Sequence, residues 1–296
     1  MSPGLEYFIK QLLNGLSVGS MYALVAVGYS MVYSILYLIN FAHGDLYIFG
    51  TFLAFAFYNM GMPLVGAMII GALGCGLIAM GIERTVYRPV RNASRIVPMV
   101  GALGAALILR TVAQVCWGAS QLVYPTLIPN KQISIGGSFQ INLQNLVILG
   151  IGVLCVLLLT LVIKGTKIGK ATQCVMQDIS TSGLMGIPVN FIIPMVYCLG
   201  GFLGTIGGVL MCSYYTVINI EMGLWGTCKA WAASQLGGVG SFYGAFVGGL
   251  LLGVAESLAA AYISSAYKDA VGYIIIVVVL LFMPEGLFGK KKAVKV

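Results

Sequence analysis

Charge is what this sequence has least of. Of its 296 residues only 8% are Asp, Glu, Lys or Arg, where soluble domains carry roughly 25%. Hydrophobic residues make up 59%. A water-soluble fold could not hide that much apolar surface, so lipid is the expected solvent. Histidine occurs once, as His43, which excludes a histidine-rich metal site. No two of the seven cysteines (Cys75, Cys116, Cys155, Cys174, Cys198, Cys212 and Cys228) have C-x-x-C spacing. An odd number cannot pair fully, and most lie in apolar stretches, so they read as small buried hydrophobes. There is no basic, aromatic-rich soluble segment, so the net charge of +8 does not indicate a nucleic-acid partner. A cleavable leader is not expected either. The apolar run after Lys10 is longer than a usual signal-peptide core, and no A-x-A site follows it.

What the sequence has instead is long apolar runs. No charge lies between Lys10 and Asp45, Asp45 and Glu83, Lys131 and Lys164, or Asp178 and Glu221. Each gap can hold at least one helix of the about 20 residues that a bilayer requires. Spans are predicted at about 15–37, 46–59, 64–82, 97–116, 143–163, 191–212, 243–262 and 271–284, with a short segment at 226–237. The fold class is therefore all-α: one polytopic membrane domain over 1–296, with about eight transmembrane helices and some broken or re-entrant segments. The basic residues sit in three clusters: Arg84, Arg88, Arg91 and Arg95; Lys164, Lys167 and Lys170; Lys290, Lys291, Lys292 and Lys295. The positive-inside rule puts all three in the cytoplasm and makes 117–142 an external loop. Within that loop, alternation around Gly136-Gly137 predicts a small hairpin. The same counting places the N-terminus outside, although Lys10 argues weakly against it.

Glycine is abundant, at 40 residues, and patterned. Gly200, Gly204 and Gly208 are four apart, as are Gly240, Gly244 and Gly248, and Gly249 with Gly253. Small residues at this spacing let helix backbones approach closely, and we read them as packing within one chain rather than as a dimer face. A faint internal echo also exists. Ile39-Asn-Phe-Ala-His-Gly44 resembles Ile218-Asn-Ile-Glu-Met-Gly223, as expected where repeats carry broken helices.

Two constellations can carry function. Asn40-Phe-Ala-His-Gly-Asp45 interrupts an apolar stretch. Such groups are costly in lipid unless paired or facing a cavity. Two readings stay open: a helix break lining a pathway, or an interfacial turn with Asp45 capping the next helix. The second is the polar loop 164–190. Ile168, Ala171, Cys174 and Val175 fall at helical spacing, Asp178 or Ser180 caps a second short helix carrying Leu184 and Met185, and Gly186 with Pro188 ends it. Such a hairpin suits a partner's groove or the lipid surface. Gly165-Thr-Lys-Ile-Gly-Lys-Ala171 is not a P-loop: it has three residues between the glycines where four are needed, and Ala where a hydroxyl must reach Mg²⁺. The remaining isolated charges, Arg110, Glu221, Lys229 and Glu256, are functional candidates or helix-end residues. Asn92-Ala-Ser94 matches a glycosylation sequon without meaning in a cytoplasmic loop.

Several runs are more specific. Leu24-Val-Ala-Val-Gly-Tyr-Ser-Met-Val-Tyr33, Ile39-Asn-Phe-Ala-His-Gly-Asp45 and Glu83-Arg-Thr-Val-Tyr-Arg-Pro-Val-Arg91 resemble the branched-chain amino acid ABC permease family, H-type subunit. So do Leu236-Gly-Gly-Val-Gly-Ser241 with Gly244, Tyr267-Lys-Asp269 and Met283-Pro-Glu-Gly-Leu287. The likeness covers nearly the whole chain in order. It implies a multi-pass permease of the bacterial inner membrane, without enzymatic activity or a cofactor of its own. ATP and Mg²⁺ would be bound by two separate ATPase subunits. A homologous second permease (M-type) and a periplasmic binding protein that delivers Leu, Ile or Val would complete the assembly, with membrane lipid around it. The 164–190 loop corresponds to the family's ATPase-coupling loop, so Gly169, Ala171, Gln177, Asp178, Leu184 and Gly186 are the expected coupling residues. The chain departs there, carrying Lys170, Thr172, Gln173 and Gln177 where Arg and acidic residues are usual. Asn40, His43, Gly44, Asp45 and Glu221 are the expected pathway residues. The rival readings are a urea or short-amide permease of the same architecture, a secondary transporter coupling protons through Asp45 or Glu256, and a channel or scaffold.

Overall fold

A computed structural model describes residues 3–289 except 37, 39, 92, 95, 129–130, 136–138, 239 and 284. Ile39 of the echo, Asn92 of the sequon, Arg95, the hairpin tip at Gly136-Gly137 and the four tail lysines therefore lie outside the described residues. The helices run α1 (Pro3–Leu36), α2 (Ala42–Asn59), α3 (Leu64–Ile82), α4 (Arg88–Val90), α5 (Ile96–Trp117), α6 (Leu143–Gly165), α7 (Lys167–Gln177), α8 (Ile179–Leu184), α9 (Val189–Tyr215), α10 (Met222–Gly237), α11 (Phe242–Tyr262) and α12 (Lys268–Phe282). A π-helical turn, Glu83–Tyr87, joins α3 to α4. Among the described residues, seven helices are long and apolar enough to cross a membrane. Of the segments expected to span or re-enter, α2 and α10 are the two not among these seven. At 18 and 16 residues they reach roughly 27 and 24 Å, and their sequences are more polar.

The first span is longer than expected. Helix α1 begins at Pro3 rather than near residue 15, because the Glu6–Lys10 pair, 2.9 Å apart at i,i+4, lets charge ride on a continuous helix. Helix α2 begins at Ala42 rather than Leu46. The Asn40 side chain accepts the Ala42 N–H at 3.0 Å and so closes the new helix early. One helix therefore ends at Leu36 and the next starts at Ala42, and His43 and Asp45 lie on the first turns of α2.

Helix α1 is the axis of the bundle. From Ser17 to Val32 it is buried on every face, which only small residues on its neighbours permit. On one side Gly15 and Gly19 meet the backbone of Leu250 and Val254 of α11. On another, Gly28 meets Gly200 of α9, and on a third Ser20 meets Gly152 of α6. The glycine patterns thus serve packing within the chain. Helix α3 pairs with α9 in the same manner, through Gly76 against Cys198 and Gly201 against Ala79. The outward faces of α5 and α6 are largely apolar, with Leu107, Ile108, Leu157 and Leu161 exposed.

The echo has a structural counterpart. Asn219 accepts the Met222 N–H, the first of α10, at 2.9 Å, as Asn40 accepts the first N–H of α2. The two helices then cross at Gly44 and Gly223, whose backbones touch. The Tyr47 hydroxyl ties the crossing by donating to the Met222 carbonyl at 2.7 Å. At one end of the bundle lie the start of α1, the 118–142 segment and the end of α9. There β1 (Leu122–Val123) pairs with β4 (Val217–Ile218). The expected hairpin forms from β2 (Gln132–Ile135) and β3 (Phe139–Asn142), antiparallel. The opposite end carries α7 and α8, the Glu83–Val90 segment and the turn at 285–289, which hydrogen-bonds to the end of α10 through Leu287 and Phe288.

Candidate functional site

A cavity of about 490 Å³ lies between α2, α5 and α10. Leu103, Ala106, Leu107 and Leu224 form much of its wall, Phe41 and Trp231 add aromatic faces, and Tyr29 reaches it from α1. Into this apolar space projects one ion pair. Arg110 of α5 donates from Nε to Asp45 Oδ1 at 3.0 Å and from Nη2 to Oδ2 at 3.3 Å. The two-pronged geometry matches a planar guanidinium to a carboxylate. Asp45 is almost fully buried and Arg110 about one-third exposed. An unpaired Asp45 here would cost several kcal/mol, so this partner is what makes the residue tolerable.

Of the five pathway residues expected from sequence, only Asp45 lines this cavity. Asn40, His43 and Gly44 sit behind it. Asn40 Oδ1 also accepts the Tyr87 hydroxyl at 2.7 Å, so the helix break is tied to the π-helical turn. The π turn gives Tyr87 this inward aim while Glu83, fully buried, pairs with Arg91 at 2.5 Å. His43 is buried completely, its Nε2 at 3.3 Å from the Val25 carbonyl. A carbonyl only accepts, so Nε2 carries the proton there. Gly44 is the crossing point with α10, where a side chain would collide with Thr227 and the Gly223 carbonyl. Glu221 lies at the start of α10 with its side chain exposed, and its carbonyl accepts the Leu224 and Trp225 N–H groups. Asp45 does not cap α2; the first N–H of the helix, that of Ala42, is taken by the Asn40 side chain, and the N-cap position is Phe41.

Sequence reasoning left Arg110, Lys229 and Glu256 as isolated charges, and the structure gives each a partner. Lys229 Nζ lies 2.9 Å from the Tyr22 hydroxyl, 3.0 Å from Glu256 Oε2 and 2.8 Å from Asp269 Oδ1. Tyr22 in turn donates to Glu256 Oε2 at 3.0 Å. This cluster joins α10 to α1, α11 and α12, and holds the cavity-lining α10 from its far side. A proline or glycine break signals a helix end in a sequence; nothing comparable signals which distant charges will meet.

The 164–190 segment is a helical hairpin. The Thr166 side chain caps α7 by accepting the Gly169 N–H at 3.0 Å. Asp178 caps α8, accepting from the Thr181 N–H at 2.8 Å and the Ser180 hydroxyl at 3.0 Å. These donors hold its carboxyl below the usual carboxylate range. Gly186 ends the hairpin with φ of 79°, a left-handed conformation natural to glycine. Leu184 and Met185 stand out at the tip, 90% and 79% exposed. Gln177 and Asp178 are exposed, whereas Gly169 is buried against the Ile163 backbone and Ala171 packs partly on the core. No group of three or more metal-ligating side chains occurs among the described residues.

Comparison with known proteins adds to this geometry. A family described as "Branched-chain amino acid transport system / permease component" matches residues 11–280. The high-affinity branched-chain amino acid transport system permease protein LivH of Salmonella typhimurium is 38% identical, with 100% of both chains aligned. The permease protein BraD of Pseudomonas aeruginosa is 37% identical over 99% of this chain and 100% of that protein. A probable branched-chain amino acid transport permease of Methanocaldococcus jannaschii is 28% identical, covering 95% and 92%. In three dimensions, PsaBC from Streptococcus pneumoniae in complex with Fab superposes with a TM-score of 0.51 at 12% identity, covering 93% of this chain and 92% of that one. That last likeness concerns the fold alone.

Proposed function

Because the chain belongs to the family of branched-chain amino acid transport permease components, we propose that it forms the membrane path of an ATP-driven importer for leucine, isoleucine and valine in a bacterial inner membrane. The observation that carries the mechanism is the cavity beside the Gly44–Gly223 crossing. It is apolar enough for an aliphatic side chain and holds one charge of each sign. Helices α2 and α10 approach through the backbones of Gly44 and Gly223, and the Tyr47 hydroxyl on the Met222 carbonyl is the tie that a change in their angle has to break. Alternating access follows if that crossing rocks. The cargo is delivered from outside by a binding protein, and a second, homologous permease faces the cavity side of this chain. The Arg84, Arg88 and Arg91 cluster and the Lys164, Lys167 and Lys170 cluster lie toward one end of the bundle, which the positive-inside rule makes cytoplasmic. The 118–142 end is then periplasmic, as is the start of α1.

ATP hydrolysis belongs to separate subunits in this reading, and α7 and α8 receive their motion. The exposed Leu184–Met185 tip suits a shallow apolar groove on such a subunit. Asp178 stiffens the tip, and Gly169 supplies the close backbone approach that seats α7 against the end of α6. Gln177 and Gly186 flank the contact, and Ala171 anchors it to the bundle. The test is uptake of radiolabelled leucine by proteoliposomes holding the chain with its co-encoded partners. ATP is supplied on one side and loaded binding protein on the other. Uphill uptake that needs ATP, and is outcompeted by valine and isoleucine but not by urea, supports the reading. Uptake that ignores ATP and collapses with the proton gradient overturns it. Leu184→Arg should abolish uptake while the complex still assembles.

A further inference from the structure

The cavity contains more polar capacity than its ion pair uses. Arg110 has five N–H donors and spends two on Asp45. Each Asp45 oxygen accepts only one of these bonds. Tyr29 and Trp231 border the same space: the buried Trp231 indole N–H has no hydrogen-bond partner among the described residues, and the Tyr29 hydroxyl oxygen takes the Asn40 N–H while its own proton has no acceptor. An unsatisfied buried donor is costly, and a native cavity whose lining joins two of them to a guanidinium is arranged for an incoming acceptor. A carboxylate is the acceptor that fits, since it offers two oxygens and a charge opposite to Arg110. An ammonium is the matching group for Asp45. Both groups on one small molecule, with an aliphatic remainder against Leu103, Leu107 and Leu224, describe an α-amino acid zwitterion.

Resting on the importer reading above, we propose that this cavity is a transient station for the cargo. There Asp45 takes the α-ammonium, and Arg110 with Tyr29 and Trp231 takes the α-carboxylate. The Asp45–Arg110 pair closes the station when it is empty and is split by the zwitterion, which replaces each partner's counter-charge with its own. Because the resting pair competes with the cargo, occupancy is weak and release easy. The permease thereby checks that both charged groups of the cargo are present, independently of the protein that delivers it.

Cys228 lines the same cavity and provides a native reporter. The assembled complex in proteoliposomes is treated with a small methanethiosulfonate reagent, and modification of Cys228 is followed by mass spectrometry of its peptide. Millimolar leucine should slow the reaction several-fold, whereas 4-methylpentanoate, which lacks the ammonium, and 3-methylbutylamine, which lacks the carboxylate, should not. Asp45→Asn and Arg110→Gln should each remove leucine's protection. The double variant should not regain it, although removing both charges leaves no buried orphan. Equal protection by the two analogues overturns the station, as does recovery of protection in the double variant. A wild-type complex that imports leucine without any protection of Cys228 overturns it while leaving the importer reading intact. A complex that imports no branched-chain amino acid overturns that reading, and this one with it.

Discussion

Replacing Gly19 by alanine tests whether the glycine seam of α1 is structural in the sense described. A Cβ at Gly19 would lie 2.7 Å from Leu250 Cα, 2.8 Å from the Leu250 carbonyl oxygen and 2.9 Å from that of Gly249. All three are backbone atoms of α11, so no rotamer change relieves them. Carbon atoms rest at about 3.5–4.0 Å, so α1 and α11 must part by roughly 0.8 Å at this level. Neither helix can do so alone, because α1 is also fixed against α9 at Gly28 and against α6 at Ser20. Overpacking of this kind costs about 1–3 kcal/mol, equivalent to a fall of roughly 2–10 °C in melting midpoint. The control is Gly104→Ala, where nothing lies within 4 Å of the new Cβ and helix propensity alone favours alanine. The assay is loss of monodisperse complex after heating, read by size exclusion, with leucine uptake in parallel. A Gly19→Ala protein that melts with or above Gly104→Ala would refute the packing argument.

Other outcomes follow from the same geometry. Lys229→Met leaves Glu256, almost fully buried, without its cation. It should destabilise the permease by about 3–5 kcal/mol, and adding Glu256→Gln should recover most of the loss in the same thermal assay. Tyr87→Phe removes the donor to Asn40 and should cost about 0.5–1.5 kcal/mol. A melting midpoint unchanged from wild type would show that the π turn does not brace the helix break. Asp178 has a carboxyl held below its ordinary range by its capping bonds. Its contribution to α8 is therefore present above the usual carboxylate pKa and is lost as pH falls through the depressed value. Protection factors of the α8 amides, which divide out the intrinsic pH dependence of exchange, should hold from neutral pH down to that range and then fall, and Asp178→Asn should make them pH-independent.

How much of this was legible in the sequence depends on the range of the interactions. The hairpin at 164–190 was readable as two short helices with Asp178 or Ser180 as the second cap, and the structure selects Asp178. Caps and glycine ends are local chemistry, and Asp178, Leu184 and Gly186 stand where their types require. The long apolar helices were readable for the same reason. Helix starts were less so: α1 and α2 begin earlier than hydropathy suggests, because Glu6–Lys10 and Asn40 supply polar satisfaction that an apolar window counts as interruption. The site itself was half visible. Asp45 announced itself as a carboxylate in an apolar stretch, but Arg110 is 65 residues away and only the packing of α2 on α5 brings it there. Lys229, Glu256 and Asp269 meet for an equally non-local reason. Glu221 was expected in the pathway as an isolated charge, and the structure leaves its side chain exposed at the start of α10. The echo is real in the asparagines that take the first N–H of each helix and in the crossing glycines.

The seam between α1 and α11 also bears on how the protein is made. Gly19 waits for Leu250 and Gly249, which follow it by about 230 residues, roughly 12–46 s at ribosomal rates of ~5–20 residues per second. For that interval the first helix, built of glycine, serine and alanine on faces meant for close backbone contact, has no native partner on one side. Whatever shelters it meanwhile, whether lipid, the insertion machinery or a provisional pairing with α9, must be displaced when α11 arrives. Truncation before α11 should accordingly yield a chain that inserts but is cleared by quality control.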